Sequence, residues 1–168
     1  MKIKYFQNAQ TLEDLKKQYR ELALKHHPDR GGSNEIMKAV NKEYDELFEK
    51  LKDVHKTKDG QTYRAKQQST ETSEQFKDII SVLMKMDGII IEIIGCFVWV
   101  TGNTKPYKNK LKALNLKWHS KKFAWYLKPE DYTIRSRRDY GLEEIREMYG
   151  TDGAVNSKGT KKLMSVNK

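Results

Sequence analysis

The sequence predicts an α+β chain, with an antiparallel helix hairpin at the N-terminus and a small C-terminal α+β domain with antiparallel strands behind it. Three observations predict this. Two runs of apolar residues at helical spacing, Leu12 to His26 and Ile36 to Leu51, flank a proline and a Gly-Gly pair. From Lys52 to Ser73 the apolar content collapses and no periodicity survives. Beyond that, one more helical run leads into β-branched and aromatic runs between Ile89 and Leu127. The expected organisation is residues 1–52 as a helical domain, 53–73 as a polar linker, 74–150 as a small basic α+β domain, and 151–168 as a disordered tail.

Composition limits the possibilities. With 168 residues, 37 % of them hydrophobic and 33 % charged, any core is small. The longest apolar run, Ile89 to Val100, is broken by Glu92 and is too short to span a bilayer. Met1-Lys2-Ile3-Lys4-Tyr5 has no apolar leader region, so the expected compartment is the cytoplasm. Cys96 is the single cysteine and reads as a small buried hydrophobe. His26, His27, His55 and His119 show no metal-ligand spacing with acidic partners, so neither a metal nor another cofactor is expected.

Residues 1–10 hold Ile3, Tyr5 and Phe6, enough for one short element. Thr11 reads as a helix cap with Asp14 three residues on. Leu12, Leu15, Tyr19, Leu22, Ala23 and His26 share one face, while Lys16, Lys17, Arg20 and Lys25 read as a largely solvated basic surface. Pro28 stops the helix because it lacks an amide donor and drives His27 out of the helical region. Gly31-Gly32 makes a tight connection, and Ser33 or Asn34 caps a second helix with Ile36 or Met37, Val40, Tyr44, Leu47, Phe48 and Leu51 on its apolar stripe.

In the polar segment Asp59-Gly60 is a turn signal, and a weak helical piece is conceivable around Tyr63 to Gln68. Thr72 to Gln75 resembles a capping box for a helix carrying Phe76, Ile79, Ile80, Leu83 and Met84 and ending at Gly88. Ile89 to Ile94 and Phe97 to Thr101 read as two strands or one bulged strand. Thr104 and Pro106 open a helix with Tyr107, Leu111 and Leu114 on one face and an exit at Asn115. Leu116 to Ser120 and Phe123 to Leu127 suggest a hairpin, with Trp118 facing Phe123 or Trp125. Leu142 to Tyr149 makes a last helix. Trp99, Trp118 and Trp125 are expected in the core, since so small a domain has few other large side chains to bury.

Tyr19-Arg20, Leu22-Ala23, then Lys25-His26-His27-Pro28-Asp29-Arg30, then Asn41 and Tyr44, together resemble the J-domain of DnaJ-type co-chaperones over roughly residues 3 to 51. The short Arg30-Gly31-Gly32-Ser33 loop is similar to the compact J-domains of phage proteins and viral tumour antigens. The resemblance implies binding to a DnaK-type 70-kDa heat-shock chaperone and stimulation of its ATP hydrolysis, with the catalytic groups on the chaperone and none here. It assigns chaperone binding to His27, Pro28 and Asp29, supported by Lys16, Tyr19, Arg20, Lys25 and Arg30. It also implies host cytoplasm if the source is a phage or virus. The glycine- and phenylalanine-rich segment and the cysteine-rich zinc module of full-length DnaJ are both missing, which favours a targeted co-chaperone over a general one.

Charge is uneven along the chain. Met1 to Leu51 holds 10 basic and 9 acidic residues, a net +1, whereas Cys96 to Tyr140 holds 11 basic and 3 acidic, a net +8. Lysines and arginines interleaved with aromatics are the composition that holds phosphates and stacks bases. The candidate nucleic-acid residues are Lys105, Lys108, Lys112, Lys117, Lys121, Lys122, Arg135, Arg137 and Arg138. Two partners for this domain stay open, nucleic acid and a protein client. The alternative to a targeted co-chaperone is a nucleic-acid-binding adaptor of phage or viral replication that recruits or sequesters the host chaperone. No paired carboxylates, nucleophile-base pattern or glycine-rich phosphate loop points to an enzyme.

Overall fold

The structure is a computed structural model that describes residues 3–57, 59–65, 71–129 and 139–149, together with the backbone of 155–156. Helix α1 spans Leu12–His26; the Asp14 amide donates to the Thr11 hydroxyl at 3.2 Å to cap it. It ends because His27, before Pro28, takes extended backbone angles (φ −62°, ψ 133°). One 3₁₀ turn, Pro28–Arg30, follows, and Gly31 closes it in the left-handed region at φ 79°. Gly32 is needed for space, since a Cβ there would lie 2.2 Å from the backbone of His26. Helix α2, Asn34–Leu51, then runs back with Ser33 as its cap.

Leu12, Leu15, Tyr19 and Ala23 of α1 and Met37, Val40, Tyr44, Leu47 and Phe48 of α2 are buried in one core. The segment before α1 is held by a single carboxylate. Glu43, itself buried, accepts from the backbone amides of Lys4, Tyr5 and Phe6 at 2.8–3.1 Å, and Phe6 is driven into the core beside Tyr44. A carboxylate with several amide donors offsets the cost of its own burial, which is why so short a segment stays docked.

The polar stretch after α2 contains a hairpin, β1 (Val54–Lys56) with β2 (Thr62–Arg64), turning through Gly60 at φ 80°. Tyr63 and Arg64 are therefore strand, not helix; residues 66–70 lie outside the described residues. His55 Nδ1 meets Glu13 Oε1 at 2.7 Å and fastens the hairpin to α1. Helix α3, Ser73–Met84, opens with the full capping box between Thr72 and Gln75.

Strands β3 (Ile89–Ile94), β4 (Phe97–Gly102), β5 (Lys117–His119), β6 (Ala124–Leu127) and β7 (Val155–Asn156) form an antiparallel sheet in the order β5-β6-β4-β3-β7. A strand at Val155–Asn156 thus lies inside the segment expected to be a disordered tail; residues 151–154 and 157–168 are outside the described residues. Alternation along the strands splits the sheet into two faces. Ile89, Ile91, Ile93, Val98, Val100 and Trp125 join the same core as α1, α2, α3 and helix α4 (Lys108–Ala113). Ile94, Trp99 and Ala124 face the other way, under Leu142 and Ile145 of helix α5 (Leu142–Tyr149). Arg146 of α5 donates to the fully buried Glu92 of β3, with Nε to Oε1 at 3.0 Å, so this pair locks α5 to the sheet.

Three expectations need correction. Trp118 pairs with Trp125 across β5 and β6, as one of its two expected partners, but is 46 % exposed because β5 is an edge strand beyond the reach of the core. Thr104 makes no side-chain cap; a 3₁₀ turn, Lys105–Tyr107, intervenes before α4. Cys96 is half-buried at the β3–β4 turn, and burial pushes its thiol up to about 12.

Candidate functional site

The His27-Pro28-Asp29 corner is built by the forced exit of the chain from α1. His27 caps the 3₁₀ turn itself, its Nδ1 accepting from the Asp29 amide at 3.3 Å. Nδ1 is thus the acceptor, and Nε2 carries the proton and faces Ser81 Oγ of α3 at 3.3 Å. The Asp29 carboxylate lies 3.8 Å from the ring and 3.3 Å from Lys85 Nζ at the end of α3. Pro28 and Asp29 are exposed, but the His27 side chain keeps only 13 % of its surface.

The basic surface expected along α1 divides in two. Lys25 is exposed and Lys17 half-exposed, whereas Lys16 and Arg20 are 1 % and 0 % exposed. Lys16 Nζ meets Glu71 at 2.5 Å and sits 5.0 Å from the centre of the Phe76 ring. Arg20 donates to the Ile91 carbonyl of β3 at 2.9 Å. Tyr19 is buried between them, 6.0 Å from Phe76, and its hydroxyl donates to Asn41 at 3.0 Å. Burial, reinforced by Asp45 and Asp78, pushes the Tyr19 phenol well above its ordinary range, so it remains a donor. The reason is periodicity: Leu12, Lys16, Tyr19, Arg20, Ala23 and His27 form one continuous stripe, and α3 with β3 lies along it. Charge alone suggested solvent, but Glu71 and a strand carbonyl supply the partners that burial demands. Arg30 belongs to the 3₁₀ turn and its side chain lies outside the described residues.

A groove of about 370 Å³ remains between the helices, bordered by Tyr19 and Ala23, by Met37 and Asn41, and by Ile80 and Ser81, with His27 and Pro28 at its end. Sequence reasoning missed Glu71, Ser81 and Lys85, the residues that complete this site. Their signal is weak, because each lies more than 50 residues from the α1 or corner group it meets and belongs to a polar segment or an exposed helix face.

A family profile, the DnaJ domain, matches residues 6–59, which takes in α1, the corner, α2 and the start of the β1–β2 hairpin. Residues 6–59 are a DnaJ domain. Over 46 residues the chain is 44 % identical to the chaperone protein DnaJ of Acetobacter pasteurianus, and over 46 residues 48 % identical to the chaperone protein DnaJ of Polaromonas naphthalenivorans. These matches cover 27 % and 26 % of this chain and 12 % of the length of each relative. No solved structure matches. The matched residues are therefore a helix hairpin with a His-Pro-Asp corner and the start of a strand hairpin, and the profile match ends at residue 59, before α3 and the five-stranded sheet.

The candidate nucleic-acid residues are spread over the 3₁₀ turn (Lys105), α4 (Lys108, Lys112), β5 (Lys117) and the β5–β6 turn (Lys121, Lys122). Lys105, Lys108, Lys112, Lys117 and Lys121 are exposed. Lys122 is not: its side chain is 7 % exposed and it meets Asp139 at 2.6 Å and His119 Nε2 at 3.0 Å. Hydrogen bonds from Lys122 and Lys121 hold the Asp139 carboxyl below its ordinary range. Arg135, Arg137 and Arg138 lie outside the described residues. The β5–β6 hairpin that holds Lys117 and Lys121 also displays two exposed aromatics, Trp118 in β5 at 46 % and Phe123 in the turn at 76 %. No described helix is long and apolar enough to cross a membrane.

Proposed function

We propose that this protein is a co-chaperone whose J-domain binds a DnaK-type chaperone and stimulates its ATP hydrolysis, while the sheet domain selects where that chaperone acts. The supporting observation is the corner: proline and the 3₁₀ turn fix His27 and Asp29 at the junction of two helices, where the J-domain sequence match is centred. Lys25, Pro28 and Asp29 face solvent there and supply the accessible part of the docking surface. The chain acts by shifting the chaperone's conformational equilibrium, and the hydrolytic groups belong to the chaperone. Single-turnover ATP hydrolysis by a DnaK-type chaperone is expected to accelerate with this protein and return to its basal rate with His27→Gln. A rate that His27→Gln raises as much as wild type does sinks the reading.

The targeting surface favours nucleic acid, on one observation. Phe123 is 76 % exposed and held at φ 48°, a backbone conformation that costs a bulky residue about 1–3 kcal/mol without burying the ring in return. A ring displayed at such a cost suits stacking on a flat partner. From Ile93 to Pro129 there are eight lysines and no carboxylate, so the surrounding chain suits a polyanion. Single-stranded DNA or RNA fits both features. Phe123→Ala is expected to weaken single-strand binding roughly tenfold, the loss of one stacked base at about 1–3 kcal/mol, and raising salt is expected to weaken it further. Binding that is missing, or indifferent to salt, assigns the surface to a protein client.

A further inference from the structure

We propose that the second half of the chain is an intramolecular cover for the J-domain, and that productive chaperone docking requires the seam between α1 and α3 to open. This deepens the co-chaperone reading and rests on it. Of the eight residues assigned to chaperone binding, Lys16, Tyr19 and Arg20 are fully covered and His27 is largely covered, by groups that lie outside the helix hairpin.

The cover is chemically matched to what it hides. An acidic partner surface is what a basic helix face calls for, and Glu71 presents a carboxylate to Lys16 at 2.5 Å. Asp29 calls for a cation, and Lys85 stands 3.3 Å away. Ser81 Oγ is the hydrogen-bond partner of His27 Nε2 at 3.3 Å, and Phe76 lies against Tyr19 and Tyr44, with ring centres 6.0 and 5.9 Å away. Lys16, Arg20, His27 and Asp29 thus each already have an internal partner. A partner must displace these contacts before it can make its own, so its apparent affinity falls in proportion to the fraction of molecules that are open.

The seam is unevenly fastened. Its centre is apolar and buried, at Phe76 and Ile80, while its ends are ion pairs near water: Asp29 with Lys85, whose side chains are 53 % and 59 % exposed, and Asp45 with Lys77 at 2.6 Å. Opening therefore starts at the ends, where water replaces the contacts at little cost. Lys77 and Lys85 lie outside residues 6–59 and outside the eight chaperone-binding residues, so changing them alters no J-domain residue, although each meets a J-domain carboxylate, Asp45 and Asp29.

Two variants of the full chain test this in the single-turnover ATPase assay. In Lys77→Glu/Lys85→Glu both end pairs become like-charged, and half-maximal stimulation is expected at a concentration at least threefold lower than for wild type, with the far-ultraviolet circular dichroism spectrum unchanged. In Asp45→Cys/Lys77→Cys a short bis-maleimide joins α2 to α3, and stimulation is expected to drop at least tenfold relative to the same variant before bridging. Both the bridged and the unbridged protein also carry Cys96→Ser, so that only the two introduced thiols react. A bridged protein that stimulates like its unbridged form overturns the cover and leaves the co-chaperone reading standing. A silent wild type with an active Lys77→Glu/Lys85→Glu variant supports the cover in its strongest form. Silence from wild type and charge-reversed variant alike removes the co-chaperone reading, and the cover with it.

Discussion

At the scale of single residues, the two halves of the basic set on α1 differ in kind although they look alike in sequence. Arg20 is a buried donor to the Ile91 carbonyl, whereas Lys25 is an exposed charge. Truncating Arg20 removes a packed stem and a charged hydrogen bond together, so Arg20→Ala is expected to cost about 2–4 kcal/mol of stability. Lys25→Ala is expected to change stability by less than about 0.5 kcal/mol while weakening chaperone binding. Urea denaturation read beside the binding assay separates the roles, and an Arg20→Ala protein as stable as wild type contradicts the buried placement. Glu43 teaches the same lesson from the acidic side. In sequence it is one carboxylate on an amphipathic helix; in the fold it gathers the amides of Lys4, Tyr5 and Phe6. Neither role was legible, because a charged side chain advertises solvent and its buried partners are chosen by the tertiary fold.

At the scale of elements, the sequence was far more informative, because caps, breakers and periodicity are local. Thr11, Pro28, Ser33 and the Thr72–Gln75 box mark helix ends that the structure keeps, and Asn115 leaves α4 at φ 61°. The β1–β2 hairpin escaped notice, since strands of three residues, two of them half-buried in β1 and all exposed in β2, are too short to carry an alternation signal. The β5–β6 hairpin carries a pH dependence. Burial lowers the pKa of His119 below 6.5, with Lys122 and Lys121 acting the same way and Asp139 opposing them. An unfolded chain takes up this proton near 6.5 while the folded hairpin resists until a lower pH, so between those values the unfolded state binds more protons. Stability from this group is complete above that window and falls as pH drops through it. The His119 ring is expected to titrate below 6.5 by nuclear magnetic resonance. The urea midpoint followed by tryptophan fluorescence is expected to be lower at pH 5.5 than at 7.5, with the difference reduced in His119→Gln. A His119 titration at or above 6.5 rules this out.

At the scale of the molecule, the core is shared across the boundary that composition suggests. Phe6, Leu15 and Tyr44 belong to the same buried cluster as Phe76, Ile80, Ile91, Val100 and Trp125. Tyr44 is the hinge of that continuity, with Phe48 5.8 Å away on its own helix and Phe76 stacked at 5.9 Å from α3. Such a core cannot be cut at residues 53–73 without exposing apolar surface on both sides, at about 25 cal/mol for each Å². This bears on cooperativity, and the distribution of probes makes it measurable. All three tryptophans, Trp99, Trp118 and Trp125, lie in the sheet, so fluorescence reports on the second half alone, whereas α1 and α2 supply 15 and 18 of the helical residues that dominate circular dichroism at 222 nm. Two domains joined only by a linker would unfold with separate midpoints. A shared core predicts coincident urea transitions by the two probes. It also predicts that Phe76→Ala, which removes a ring packed against Tyr19 and Tyr44, moves both midpoints down together by about 3–5 kcal/mol in stability. Loss of the fluorescence transition alone in that variant would show that the J-domain stands without its cover, and would restore the division at the linker.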